Sequence, residues 1–256
     1  MKIIIIGAGR MGLWFYKYFS SKNHETYFYD SDEKKVSELK GKGFRYSGID
    51  KLNFFDMIFC STNIKSIPSI IETVKGSGFK GYFVEISGLK GPIMNNLMKL
   101  EKPISVHPLF GPGAKTAKGK KIIHVPVKER EEEYKTVKQL FPEMEIATMS
   151  PDEHDNIVTH TIQLVQLLSM IYNRLGVDGD WGSSQKMMKL VESVSLYGSD
   201  ELVKEIFELN PHTEELEESV KETLNKIYNG DYKIIKKEYF EDLYNKAYKI
   251  MEEDMM

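Results

Sequence analysis

His107 is the side chain best suited to moving a proton. It closes the short apolar run Ile104-Ser105-Val106 and leads into the loop Pro108-Leu109-Phe110-Gly111-Pro112-Gly113. Ligands of an open parallel sheet collect beyond the carboxyl ends of its strands, where this histidine is expected. With an unperturbed pKa near 6.5, it can accept a proton at neutral pH. By residue type alone, a strand-end histidine is more often a structural hydrogen-bonder than a base.

A second constellation opens the chain, where Lys2-Ile3-Ile4-Ile5-Ile6 reads as a β-strand and Gly7-Ala8-Gly9-Arg10-Met11-Gly12 follows at once. In a strand-turn-helix context the first glycine makes the tight turn and the second lets backbone approach a pyrophosphate. The third allows close helix-strand packing, and the helix N-terminus supplies free N–H groups to the phosphates. Asp30, eighteen residues after Gly12, ends the second strand. Its carboxylate can accept from both ribose hydroxyls of an adenosine and would repel a 2′-phosphate, so the expected cofactor is NAD rather than NADP. Lys34 and Lys35 lie just beyond and soften that preference. Gly7, Gly9, Arg10, Met11, Gly12, Asp30 and Ser61 form the expected cofactor-binding set.

The elements that must position these groups follow from apolar patterning. After the opening βαβ, strand-like runs recur at 57–61, 81–86, 104–106 and 122–127, which predicts a mainly parallel sheet covered by helices. Beyond Ser150-Pro151 the spacing becomes helical, with Ile157, Leu164, Leu167, Leu168 and Ile171 on one apolar face. Ser150 suits an N-cap, Pro151 the first turn, and Glu153 completes a capping box. The expectation is an α/β chain: a Rossmann-type domain over 1–150 and an all-helical domain over 151–256.

At 256 residues, 41% hydrophobic and 29% charged, the chain can bury substantial cores. A net charge of -3 with interleaved acids and bases argues against a nucleic-acid partner. The first apolar run is too short for a membrane span or a signal peptide, so a cytoplasmic protein without membrane association is expected. The single cysteine, Cys60, lies in a strand-like run and is expected in the core; no disulfide or metal site is expected. The acidic stretch Glu214-Glu215-Leu216-Glu217-Glu218 reads as a solvated helix face.

The segment His107-Pro108-Leu109-Phe110-Gly111-Pro112 resembles the HPMFGP motif of prephenate dehydrogenases, with Leu109 for methionine. Glu85-Ile86-Ser87-Gly88-Leu89-Lys90 resembles the family's segment of acidic residue, two small residues and lysine. His154-Asp155 resembles the His-Asp pair opening its helical domain, and 205–211 resembles a later helix ending in Asn-Pro, here Asn210-Pro211. The resemblance implies oxidative decarboxylation of a cyclohexadienyl substrate by a homodimer joined through the helical domain. His107 would accept the proton from the ring 4-hydroxyl while hydride leaves the same carbon for the nicotinamide.

Several positions depart from the family pattern. The serine expected two residues before Lys90 is Gly88 here, so Ser87 stands as the candidate catalytic partner of His107. The family's carboxylate-binding arginine aligns with Val194, and the chain's only arginines are Arg10, Arg45, Arg130 and Arg174. Lys186 or Lys189 could replace its charge without the bidentate fork. Gln163 and Gln166 stand where relatives often carry histidine, with His160 nearby; Gln166 and Lys186 are the candidate substrate contacts. The implied substrate is prephenate, with arogenate, or a diverged NAD-binding dehydrogenase or sensor, as alternatives. Methyl-branched hydroxyacid dehydrogenases and pyrroline-carboxylate reductases share the opening turn and a helical dimer domain, but neither accounts for the segment at His107.

Overall fold

The computed structural model describes residues 1–176, 178–179, 182–197, 200–233 and 237–253. The chain divides into two compact units, Met1–Asp155 and Asn156–Met256.

The first unit is built on a seven-stranded sheet in the order β2-β1-β3-β4-β5-β6-β7. These strands are β1 (Lys2–Ile6), β2 (Glu25–Tyr29), β3 (Met57–Cys60), β4 (Tyr82–Glu85), β5 (Pro103–Pro108), β6 (Lys121–Val125) and β7 (Glu145–Thr148). β1 to β5 run parallel, β6 pairs antiparallel with β5, and β7 runs parallel to β6. The helices around this sheet are α1 (Arg10–Ser21), α2 (Glu33–Gly41), α3 (Ile67–Gly76), the single turn α4 (Met94–Leu97) and α5 (Arg130–Leu140). Ile3, Ile4, Ile5 and Ile6 are all buried because a central parallel strand is covered on both faces. That is why β1 reads as an unbroken apolar run rather than an alternation. Phe15 and Phe19 of α1 pack with Phe59 of β3 and Phe141, at ring centroid distances of 4.6–6.1 Å. Cys60 is in this core, and burial pushes its thiol up to about 12.

β7 was not expected from the sequence. Its Glu145, Ile146, Ala147 and Thr148 alternate exposed with half-buried, as an edge strand does, and the four residues carry too little apolar pattern to announce one.

A helical run begins at α6 (Pro151–Val158), passes through one π-helical turn at Thr159–Gln163, and continues as α7 (Leu164–Leu175). Its start has the expected capping box: the Ser150 hydroxyl accepts from Glu153 N at 3.2 Å, and the Glu153 carboxylate accepts from Ser150 N at 2.8 Å. The second unit adds α8 (Ser183–Leu196), α9 (Asp200–Leu209), α10 (Thr213–Tyr228) and α11 (Phe240–Glu253), with α8 packed along α7. In the acidic stretch of α10 the four glutamates are exposed and Leu216 is buried, as a solvated face requires.

In the second unit the apolar face read from the sequence is not the face that the single chain buries. Ile157, Leu168 and Ile171 are exposed in the single chain, whereas Thr159, Gln163, Gln166 and Ser169 form the buried stripe. Gln163 and Gln166 are therefore interior residues. Helical periodicity located the helix but assigned its faces by hydrophobicity, and here the buried face is polar.

Candidate active site

β2 and β3 flank β1 on opposite sides, which makes the end of β1 beside β3 the switch point at which open parallel sheets leave a crevice. β1 ends in a turn at Gly7 with φ 93°, a left-handed conformation that glycine adopts without strain. A Cβ at Gly7 would stand 2.5 Å from the Ser61 carbonyl oxygen just past β3, so the two strand ends can meet only without one. A Cβ at Gly12 would stand 2.0 Å from the Gly7 carbonyl oxygen, which fixes the close approach of α1 to the turn. Gly9 differs: nothing lies within 4 Å of its Cβ direction. Gly9 caps α1 without a side-chain bond, leaving the first N–H groups of the helix directed out of the turn. Arg10 is exposed on the first turn of α1, and Met11 is partly buried against the core.

Asp30 braces this turn. Its Oδ2 accepts from Ala8 N at 2.9 Å and from Lys35 Nζ at 2.9 Å, while Oδ1 accepts from Asp32 N at 3.0 Å. Burial alone would raise its pKa; these bonds outweigh it and hold the carboxyl below the ordinary range. Beyond Asp30 opens a cleft of about 420 Å³ lined by Ser31, Glu33, Lys40 and Tyr46 among others.

His107 is on β5, buried, near the same sheet end as the glycine turn. Its loop is tied back to α1, since Trp14 Nε1 donates to the Ala114 carbonyl at 2.7 Å and the Trp14 ring packs on Phe110 at 4.9 Å. His107 Nδ1 is 2.8 Å from His154 Nε2, and His154 Nδ1 is 2.8 Å from Asp155 Oδ1. Asp155 accepts from two backbone donors, Lys90 N to Oδ1 and Gly91 N to Oδ2, both at 2.8 Å. Burial, then the His154 and Lys90 charges, push the His107 pKa well below the ordinary histidine value. Burial lowers His154 as well, against the pull of Asp155.

Beneath the histidine is a buried ion pair. Lys90 Nζ donates to Glu85 Oε1 at 2.7 Å and to the Val106 carbonyl at 2.8 Å. Glu85 is satisfied further by the Ser105 hydroxyl and by Ser87, whose N and Oγ reach Oε2 at 2.7 and 2.6 Å. A buried pair is tolerable only when its remaining bonding capacity is met in this way. Burial lowers the Lys90 pKa while Glu85 opposes the shift. The Ser87 hydroxyl also lies 2.8 Å from the Leu89 carbonyl, and its bonds go to this network rather than to His107. The partner that sequence reasoning expected in Ser87 is therefore His154, which carried no assigned role. The only signal for it was the adjacent His-Asp pair at a helix start.

In the second unit Asn210 Nδ2 donates to Thr159 Oγ1 at 2.8 Å and Gln163 Oε1 at 2.9 Å, and Gln163 Nε2 donates to Thr213 Oγ1 at 2.9 Å. This ties the Asn-Pro segment to the π turn, a feature often found at functional sites. Gln166 is buried, and its Oε1 has no hydrogen-bond partner among the described residues. Lys186 is half-buried on the first turn of α8, Val194 is exposed, and His160 is exposed. Among the described residues no cluster of three metal-binding side chains occurs, and no helix is long and apolar enough to cross a membrane.

No family model matches the sequence, and no curated protein matches it. Solved structures do match in fold. Prephenate dehydrogenase from A. aeolicus, in complex with hydroxyphenyl propionate and NAD+, aligns at TM-score 0.74 and 19% identity over 99% of each chain. A putative prephenate dehydrogenase from Corynebacterium glutamicum aligns at 0.71 and 15%, over 98% of this chain and 89% of that one. Synechocystis arogenate dehydrogenase aligns at 0.62 and 14%, over 98% and 97%. From end to end, the chain has the fold of the prephenate and arogenate dehydrogenases.

Proposed function

We propose that this protein is an NAD-dependent dehydrogenase that oxidatively decarboxylates prephenate to 4-hydroxyphenylpyruvate. The observation that carries the reading is His107: a buried imidazole at the strand end, bonded among the described residues through Nδ1 alone, on the sheet that also carries the glycine turn. The fold shared with prephenate and arogenate dehydrogenases supports it.

The residues around the turn fit a dinucleotide. The open space before Gly9 and the uncapped start of α1 suit a pyrophosphate, and Asp30 with the cleft beyond it suits an adenosine diol. Ser61, across Gly7 at the end of β3, closes the other side of the turn. When bound, NAD accepts the hydride from the substrate carbon bearing the hydroxyl. His107 takes the hydroxyl proton on Nε2 as that C–O bond gains carbonyl character. Loss of carbon dioxide then leaves an aromatic ring, which supplies most of the driving force. The protein's work is placement of a neutral base within hydrogen-bond reach of one hydroxyl.

Gln166 and Lys186 are the proposed substrate contacts of the helical domain at 151–256, which also forms a homodimer in this proposal. Support for the dimer comes from exposed apolar side chains such as Leu168, Ile171, Leu175, Val194 and Tyr228. One observation favours arogenate as a second substrate: the buried, unpartnered Gln166 Oε1 is an acceptor, and arogenate carries an amine where prephenate carries a ketone.

The test is NADH formation followed by absorbance with prephenate and arogenate, each with NAD and NADP. Turnover with NAD and either substrate supports the dehydrogenase, and the faster substrate decides between them. NAD binding without turnover on either would replace this reading with a cofactor sensor.

A further inference from the structure

We infer that His154 and Asp155 set the tautomer of His107, holding its proton on Nδ1 and leaving Nε2 bare as the proton-accepting face. The inference deepens the proposed dehydrogenase reading and rests on it for its kinetic consequence.

One chain of hydrogen bonds fixes this polarity. Asp155 receives a backbone N–H on each oxygen, Lys90 N on Oδ1 and Gly91 N on Oδ2, so its carboxylate is held in one orientation. A residue larger than glycine at 91 would crowd it, because a Cβ there would stand 3.0 Å from Oδ2. A carboxylate only accepts, so the contact at 2.8 Å places the hydrogen on His154 Nδ1. A neutral imidazole has one N–H, which makes His154 Nε2 an acceptor. The 2.8 Å contact to His107 Nδ1 then requires that nitrogen to donate. His107 is left with a lone pair on Nε2, and no described residue bonds to it there. His154 and Asp155 are both fully buried, which leaves no access for water to compete with either bond.

The same chain responds when His107 is protonated. The hydroxyl O–H bond of the substrate breaks and an Nε2–H bond forms, while Nδ1–H still donates to His154 and His154 still donates to Asp155. The new imidazolium faces a carboxylate through one intervening ring. The opposite polarity would need a hydrogen on Asp155, at the expense of a backbone bond. His154 and Asp155 are thus positioning residues: neither is required to touch substrate.

The ring nitrogens of the full-length protein, labelled with 15N-histidine and free of ligands, read this directly, with His107→Asn identifying the His107 signals. A pyrrole-type Nδ1 and a pyridine-type Nε2 in His107 support the inference, and a protonated Nε2 overturns it. His154→Phe keeps a ring in place but accepts no bond, so it should shift His107 toward the Nε2–H tautomer. It should also lower kcat by roughly 10²-fold or more while leaving KM within about twofold. Unchanged His107 ring shifts in a folded His154→Phe would equally overturn it. If that variant does not fold, the wild-type spectrum alone decides. Absence of turnover on prephenate and arogenate would contradict the proposed function, yet the tautomer would still be read, so the two failures are separable.

Discussion

An imidazole buried between a second imidazole and an ammonium group resists protonation, and His107 sits in that position. Its base form therefore persists to more acidic pH than an exposed histidine's would. The acid limb of kcat/KM should lie below the ordinary histidine value of about 6.5, lower than sequence reasoning placed it. A limb at or above that value would contradict the burial argument. Stability follows with a definite sign. The unfolded chain binds a proton on this residue near pH 6.5 while the folded chain does not, so stability is complete above that pH. It is lost as pH falls from there toward the depressed folded value, and His154 adds to the loss in the same direction. The urea midpoint should drop between about pH 7 and pH 5, and less steeply in His107→Asn. A midpoint independent of pH across that interval would count against both shifts. Asp30 sets a second expectation at this scale. Asp30→Ala should weaken NAD binding more than NADP binding, as measured by calorimetry, because a carboxylate favours free ribose hydroxyls over a 2′-phosphate. It should also lower Tm modestly by releasing Ala8 N from its brace. Tighter NADP than NAD binding by the unmodified protein would contradict the assignment.

At the scale of elements, the three glycines of one turn are expected to behave differently. Gly12→Ala forces a methyl onto the Gly7 carbonyl and should destabilise the fold by about 1–3 kcal/mol, the usual cost of overpacking. Gly9→Ala meets nothing and leaves the helix start intact, so Tm should hold while NAD affinity falls. Equal loss of Tm in both variants would show that Gly9 is structural. This turn was legible in the sequence because each requirement is local: an apolar strand before it, a helix after it, and Asp30 at the next strand end. The strand-like runs of the mainly parallel sheet were legible for the same reason. What was not legible depended on contacts distant in the chain. His107 and His154 are 47 residues apart, and no periodicity reports that their rings meet. β7 is too short to carry a pattern. The buried stripe of Thr159, Gln163, Gln166 and Ser169 is polar, so hydrophobic periodicity could not report it. Its burial depends on partners such as Asn210 and Ser195, supplied by later helices.

For the whole molecule, most of the exposed large apolar side chains among the described residues belong to the second unit, on α7, α8, α10 and α11. The proposed homodimer would cover them, and sedimentation at micromolar concentration should then give about twice the 29.6 kDa chain mass. A monomer would contradict the proposed dimer. The strand-end His107 is proposed as the base of a dehydrogenase. The most direct measurement compares wild type with His107→Asn under conditions where chemistry limits the rate, following NADH formation and measuring NAD affinity alongside. Asparagine keeps a side chain able to bond His154 but cannot take a proton near neutral pH. Fold and NAD affinity should survive while kcat falls by roughly 10²–10⁴-fold, the usual contribution of general acid-base catalysis. Near-normal turnover in the variant would make His107 a structural residue and contradict the account.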